Sequence, residues 1–267
     1  MPELPEVKTI QDQLNTLMPF KIGSIERSPV AGSIVHTPLD ALAGQQILRV
    51  DRKGKLLNFI VANGWHILSH LGMSGSWLMS DQPVKRKHAH LQFEGQDGYL
   101  AYVDPRRFGH LYYLSSAAAQ ARLAKLGPDL LSSEFTLEYF LSALDRYPQR
   151  CIKVSLLDQR LFAGTGNYIA NEICAHAGVL PFRLVASLKL QEREKLYRAV
   201  DTVLAAPIQM GGVAFGGGYQ DAHGEKGRGV QSLVVFYQKK CQLCQDSDVI
   251  KITLGQRGTY YCPRCQH

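Results

Sequence analysis

Two cysteine pairs near the end of the chain, Cys241-Gln-Leu-Cys244 and Cys262-Pro-Arg-Cys265, constrain its fold more than any other feature. Each two-residue spacer lets two thiolates converge on one ion. Four thiolates close a tetrahedral shell with no open position, so the pattern predicts a zinc ribbon holding one structural Zn2+. Redox pairs fit poorly, because thioredoxin-type motifs do not arrive as paired knuckles at a C-terminus. The other two cysteines, Cys151 and Cys174, stand alone in helical surroundings, which fits a reducing, cytoplasmic compartment and a metal site better than disulfides. Lys239, Lys240, Arg257 and Arg264 give the ribbon a basic face suited to phosphates, although a purely structural clip would look the same.

A ribbon accounts for a small part of 267 residues. Domains favour roughly 100–150 residues, so at least two are expected. No apolar run approaches the roughly 18–20 residues of a membrane-spanning helix, which excludes a membrane partner of that kind. The first residues, Met-Pro-Glu-Leu-Pro-Glu, carry acids where a secretory signal carries basic residues. Lys and Arg outnumber Asp and Glu by 30 to 23, a net charge of +7 that leans toward polyanions.

The hydrophobic period changes twice along the chain. Val7, Ile10, Leu14 and Leu17 follow Pro5 at helical spacing and predict an amphipathic first helix. Runs at 46–50, 55–61, 66–71, 90–93, 99–103 and 110–113 alternate and are rich in aromatic and β-branched residues. Turn pairs such as Asn63-Gly64 and Asp97-Gly98 make them antiparallel strands of a sandwich or barrel, with residues 81–87 a mobile loop between them. Leu126-Gly127-Pro128-Asp129 reads as a linker into helices at 136–146, 152–158, 168–177 and 188–206. Residues 211–229 are glycine-rich and polar, too flexible for core, and suit a lid or binding loop. Residues 233–237 and 250–260 return to strand character between the cysteine pairs. The predicted class is α+β multidomain. Residues 1–126 would be an N-terminal sandwich or barrel with an N-terminal helix, 127–135 a linker, 136–229 a helical domain with the glycine-rich loop, and 230–267 the zinc ribbon.

Several motifs carry two readings each. Gly164-Thr-Gly166-Asn167 fits an anion site at a helix N-terminus and equally a helix–turn–helix corner with Asn167 as N-cap. Asp104-Pro-Arg-Arg107-Phe108-Gly109 offers cations beside an aromatic wedge, as a gap in a base stack requires, or an ordinary turn. Met73 alone reads as core. Lys53-Gly54-Lys55 fits a phosphate site or a solvated hairpin tip. Pro2, once Met1 is removed, is a secondary α-amine with a pKa near 7.7–8.0 against 10.4 for lysine, so its neutral fraction at pH 7 is roughly 200-fold larger. Glu3 and Glu6 lie beside it for proton transfer or positioning, although acids at a helix start also suit its dipole.

Taken together, seven segments resemble the formamidopyrimidine-DNA glycosylase family, in the family's order and across both domains. They are Met1-Pro-Glu-Leu-Pro-Glu-Val7, Arg52-Lys-Gly-Lys55, Leu71-Gly-Met-Ser-Gly75, Asp104-Pro-Arg-Arg-Phe-Gly109, Leu126-Gly-Pro128, Gly164-Thr-Gly-Asn167 and Arg257-Gly-Thr-Tyr-Tyr-Cys262-Pro-Arg-Cys265-Gln266. The resemblance implies a base-excision repair enzyme, monomeric, with a β-sandwich, a helix-two-turn-helix domain and a zinc ribbon, and duplex DNA in the cleft between domains. Its partner would be double-stranded DNA carrying oxidised bases or abasic sites.

By the same resemblance Pro2 attacks C1′ of the damaged nucleotide, Glu3 opens the sugar as general acid, and Lys55 and Arg257 complete the catalytic set. Met73, Arg107 and Phe108 fill the vacated stack. His88, Asn167 and Lys153 contact DNA, with Lys55 and Arg257 also on the bent backbone. Glu6 and Glu172 support the proline amine, and Phe215, Gly216, Gly217, Gly218 and Tyr219 form the lesion loop. Thr165 stands where the family has isoleucine, Asn171 precedes Glu172 in place of aspartate, and the loop lacks the usual serine, arginine and aspartate pattern. Three rivals remain. The nearest is a relative, an endonuclease VIII-like glycosylase for oxidised pyrimidines, against which Met-Pro-Glu-Leu and the Met73, Arg107 and Phe108 set argue. A second, of another class, is a non-catalytic damaged-DNA-binding zinc-ribbon protein, which would leave Pro2, Glu3 and Lys55 idle. A third is a zinc-ribbon transcription or translation factor, which explains the C-terminus and leaves the N-terminal motifs idle.

Overall fold

A computed structural model describes residues 2–216 and 218–267. The chain divides into two compact units, one comprising residues up to 125 together with 210–228, the other 126–209 together with 229–267.

The first unit opens with α1 (Leu4–Asn15), which buries Leu4, Val7, Ile10 and Leu14 on one face. Asn15 closes this helix onto the sheet by exchanging two hydrogen bonds with the backbone of Val50, at 2.8 Å each. Eight antiparallel strands follow: β1 (Phe20–Arg27), β2 (Gln46–Lys53), β3 (Leu56–Val61), β4 (Trp65–His70), β5 (Ser76–Ser80), β6 (Ala89–Gly95), β7 (Gly98–Val103) and β8 (His110–Ser115). Their order is β5-β7-β6-β1-β2-β3-β4-β8.

The sheet folds into a sandwich at β1. Phe20 and Lys21 pair with β2, while the rest of the strand pairs with β6 across a register shift between Ile22 and Ser24. A strand that changes partners part-way makes a corner. Trp77 marks the core between the layers, its ring 4.9 Å from Phe59, 5.8 Å from Phe93 and 5.4 Å from Tyr102. Fully burying each large apolar side chain of this set contributes roughly 1.5–3 kcal/mol. A helix not anticipated from sequence, α2 (Ser116–Leu123), starts at the Ser115 cap and buries only Ala119 and Leu123.

The glycine-rich segment behaves differently from its composition. It belongs with the first unit rather than with the helical domain. Tyr219 and Ala222 are buried in the sandwich core, and Met79 of the edge strand β5 donates to Ala222 O at 2.8 Å. Gln13 holds the segment from the other side, donating to Asp221 at 2.7 Å and accepting from Ala222 N at 2.8 Å. The loop thus covers an edge that would otherwise expose unpaired amides.

The second unit contains α3 (Leu137–Asp145), α4 (Ile152–Leu156), α5 (Asn167–His176) and α6 (Leu190–Gln209), followed by the hairpin β9 (Ile250–Leu254) and β10 (Arg257–Tyr261). Almost every residue of α5 is buried, which makes it the central helix. Phe135, Phe140, Phe162 and Tyr197 form an aromatic cluster in the same unit, with ring centroids 5.1–6.2 Å apart. Residues 233–237, expected as a strand, form an irregular turn. Their amides are drawn to a side chain instead of a ladder, as described below. Among the described residues no helix is long and apolar enough to cross a membrane.

Candidate functional site

Pro2 and Glu3 are buried at the start of α1. Glu6 Oε2 accepts the Glu3 N–H at 2.7 Å, as in a capping box, while Oε1 accepts from Val213 N at 2.6 Å. One buried carboxylate therefore fixes the N-terminal segment and the stem of the glycine-rich loop at once. Gly212 sits at φ +90°, and a Cβ there would lie 3.0 Å from Glu6 Cγ, so the close approach requires glycine. Tyr219 donates to Glu6 O at 3.3 Å, and burial pushes its phenol pKa well up. Of the expected lesion-loop residues, Phe215 is half-buried, Gly216 and Gly218 are exposed and Tyr219 is core. Gly217 and Met1 lie outside the described residues.

Lys55 is half-buried in the turn between β2 and β3, where Gly54 takes φ +59°. The neighbouring position across the sheet is His70, which faces Leu56 in the register. Burial holds the His70 pKa down to about 4, helped by Lys55 and His110. Gly72 N donates to His70 Nδ1 at 3.1 Å, so the neutral ring carries its proton on Nε2. Lys55 is thus close enough to His70 for its charge to disfavour a protonated ring. Sequence reasoning missed His70, since its only signal was a polar residue at a strand end.

The wedge residues come from two loops knit together through Asp104. Its Oδ1 accepts from Ser74 Oγ at 2.6 Å and Arg106 N at 3.2 Å, and Oδ2 from Gly109 N at 2.8 Å. A Cβ on Gly72 would lie 2.3 Å from Phe108 O, so the two loops touch backbone to backbone. On this frame Met73 is 39% and Phe108 49% exposed, large apolar side chains offered to the outside. Arg106, not Arg107, lies over the Phe108 ring, 4.8 Å from its centroid. Arg107 turns the chain at φ +56°, a left-handed conformation unusual away from glycine. His88 is half-buried beside this loop, its carbonyl accepting from Asp104 N at 3.0 Å.

In the second unit Gly166 is the N-cap of α5 and Asn167 its first residue, one place later than the capping reading had it. Asn167 Nδ2 donates to Gly258 O at 3.0 Å, and its buried Oδ1 has no partner among the described residues. Asn171 donates to Asn167 O at 2.6 Å and accepts from Tyr260 N at 2.7 Å, a double duty that an amide meets and an ionised aspartate cannot. Arg257 is exposed just after a two-residue turn at Gly255 and Gln256, φ +55° and +61°. That is the hairpin turn whose twist matches the strands.

Two expectations are corrected here. Lys153, expected on DNA, is fully buried, and its Nζ donates to Gly258 O at 3.1 Å and Thr259 Oγ1 at 2.7 Å. It props the ribbon from inside. Glu172, expected beside the proline amine, is buried with both oxygens committed, accepting from Val234, Val235 and Phe236 N at 2.7–3.0 Å. Those bonds explain why residues 233–237 do not form a strand. Burial still raises the Glu172 pKa against the three amides that lower it.

The four ribbon cysteines converge, with all sulfurs within 4.8 Å of one another. Cys241 Sγ lies 3.9 Å from Cys265 Sγ and Cys244 Sγ 3.8 Å from Cys262 Sγ. Tetrahedral Zn–S bonds of about 2.3 Å require sulfurs about 3.8 Å apart, so the donor set fits a metal ion. The Ser247 amide brings the Cys244 thiol down to about 7, toward the thiolate a metal needs. Gln266 secures the knuckle, accepting from Cys262 N at 2.8 Å and donating to Val179 O at 2.7 Å.

Comparison with known proteins agrees with this geometry. Residues 1–111 match the family model of the formamidopyrimidine-DNA glycosylase N-terminal domain, and residues 126–216 that of the formamidopyrimidine-DNA glycosylase H2TH domain. The chain is 38% identical to a formamidopyrimidine-DNA glycosylase of Bacillus cereus, covering 100% of this chain and 99% of the relative. Two structures of the Lactococcus lactis Fpg each superpose with a TM-score of 0.90 at 30% identity over 100% of both chains. One is a variant bound to Fapy-dG containing DNA and the other is bound to abasic site containing DNA.

Proposed function

The chain belongs to the formamidopyrimidine-DNA glycosylase family, and from that premise we propose how its own residues carry out the excision of oxidised purines from duplex DNA and the cleavage of the resulting abasic site. Its partner is double-stranded DNA, and the process is base-excision repair. The pyrimidine-directed and non-catalytic readings are not favoured, because the match to this family runs the length of the chain.

The observation that carries the residue assignment is the fixed N-terminal segment. Glu6 anchors Glu3 and the loop stem together, holding Pro2 in a buried, defined position. The proline nitrogen attacks C1′ and the bond to the base breaks as the base leaves with a proton. Glu3 protonates the ring oxygen as the sugar opens, giving an iminium between Pro2 and C1′. The iminium accepts the electron pair of the C2′–H bond as that proton departs, and the enamine so formed returns the pair to make C2′=C3′ as the 3′ phosphate leaves with the electrons of the C3′–O bond. A second elimination expels the 5′ phosphate.

Lys55 and the Nε2–H of His70 hold a phosphate near the lesion. Met73 and the stacked Arg106 and Phe108 pair occupy the space of the displaced nucleotide, which offsets an unstacking cost of a few kcal/mol. His88, Arg257 and the N-terminus of α5 at Asn167 hold further phosphates. The four cysteines hold one structural Zn2+, which supplies folding energy to the ribbon and takes no part in bond breaking.

Borohydride trapping tests the assignment. Wild-type protein incubated with abasic-site DNA forms a reduced covalent adduct, and mass spectrometry of the trapped peptide places it on Pro2. An adduct on Lys55 with none on Pro2 overturns the assignment.

A further inference from the structure

A cavity of about 270 Å³ opens beside the wedge, with Ser74 of one wedge loop and Pro105 of the other on its wall. A nucleotide driven out of the stack by Met73 and Phe108 has this space as its neighbour, and bases acted on by enzymes are read in such pockets. Arg86, Lys87 and His88 also line it, together with Gln220 of the glycine-rich segment, and none of the described lining residues is acidic. Both serine hydroxyl protons are spent on the protein itself, Ser74 on Asp104 at 2.6 Å and Ser76 on Gln220 O at 2.8 Å. The side-chain amide of Gln220 is then the adaptable reader.

Its orientation is decided by chemistry. Arg86 Nη1 donates to Gln220 Oε1 at 3.1 Å. A guanidinium carries donors only, so the amide oxygen must face it and the NH2 must face away. The backbone of Gln220 is pinned to β5 by Ser76, and Ala222 by Met79 at 2.8 Å, so the side chain has one anchored end and one oriented end. We infer that Arg86 is a specificity-determining residue. By holding the Gln220 amide oxygen, it leaves the NH2 as the donor that Gln220 offers a base in the pocket both residues line, and so selects bases that present a carbonyl oxygen there over bases that present an amino group. Resting on the family-level reading above, this adds a selection rule to it.

The guanine-derived and adenine-derived formamidopyrimidines share a ring-opened shape and differ in a carbonyl against an amino group at one edge, besides the 2-amino group that only the guanine product carries, and the change in their ratio on substitution at Arg86 is the probe. The measurement is kcat/KM for each in duplex DNA, normalised to cleavage of a preformed abasic site by the same variant. Arg86→Ala frees the amide to turn over, and the guanine-to-adenine ratio should fall about tenfold, the size of one hydrogen-bond preference. Gln220→Glu replaces the inward donor with an acceptor while keeping the pairing to Arg86, and should move the preference toward the amino-bearing lesion. Arg86 is exposed, so its loss leaves the core intact. A ratio unchanged in Arg86→Ala, or equal losses on both lesions and the abasic site, overturns the selector and makes Arg86 a backbone cation. Wild-type protein that cleaves neither lesion nor abasic site overturns the family-level reading and the selector with it.

Discussion

The two units treat charge in opposite ways. The first displays cations at its candidate site, with Arg106 and Arg107 exposed on a loop whose backbone is clamped by the buried acid Asp104. The second unit buries two of the charged residues the sequence offered as site residues. Lys153 and Glu172 are both nearly inaccessible and spend their hydrogen bonds on the segments around the ribbon, leaving Arg257 exposed at the hairpin tip. A basic residue in a DNA-binding chain is therefore either a contact or a prop, and only its partners tell which.

The largest test of that division is the ribbon itself. Metal ligation contributes on the order of 10 kcal/mol in isolated zinc fingers, so Cys244→Ala should melt the hairpin and lower DNA affinity by orders of magnitude. Near-ultraviolet circular dichroism should show the first unit still folded. Normal lesion binding by zinc-free protein would reduce the ribbon to a clip.

Next comes the contrast between two cations. Lys153→Met leaves Gly258 O and Thr259 Oγ1 without their donor and should destabilise the second unit by about 3 kcal/mol, with the salt slope of DNA binding unchanged. Arg257→Ala should do the reverse, leaving the melting temperature in place and lowering the slope by about one unit. A Lys153 variant with native stability and a reduced slope would restore it to the DNA contacts.

His70 sharpens the comparison through pH. Its pKa is near 4 in the folded protein and 6.5 in the unfolded chain, so the unfolded state binds more protons between those values. Stability is complete above pH 6.5 and is lost as pH falls toward 4, by up to about 3 kcal/mol from this group. Urea titrations of His70→Asn across pH 4–7 should show a flatter profile than wild type, and parallel profiles would mean another group carries the loss.

The smallest effect expected is at the wedge. Phe108→Ala should slow excision from duplex DNA about tenfold while cleaving a preformed abasic site nearly as well, because its share of the unstacking cost is a fraction of a few kcal/mol. Equal losses on both substrates would make Phe108 ordinary packing.

What could be read from sequence follows the range of the forces involved. The cysteine knuckles, the hairpin turns and the helical periods are local, and each depends on residues a few positions apart. Lys153 reaches Gly258 across 105 positions and Glu6 reaches Val213 across 207, so neither role leaves a local trace. The glycine-rich loop looked mobile from composition because its anchors, Glu6 and Gln13, lie in α1. Arg106 and Arg107 are chemically identical neighbours, and only the left-handed turn at Arg107 decides which one meets Phe108.

The backbone contact between Gly72 and Phe108 has an engineering consequence. Because a single Cβ at Gly72 would collide with Phe108 O, and one at Gly109 would lie 1.7 Å from the Tyr102 hydroxyl, neither wedge loop can lengthen or change shape alone. A change in one therefore has to be accommodated by the other. A graft of this wedge onto another scaffold has to carry residues 71–75, Tyr102 and 104–109 together, since either loop moved alone would arrive without the surface that shapes it.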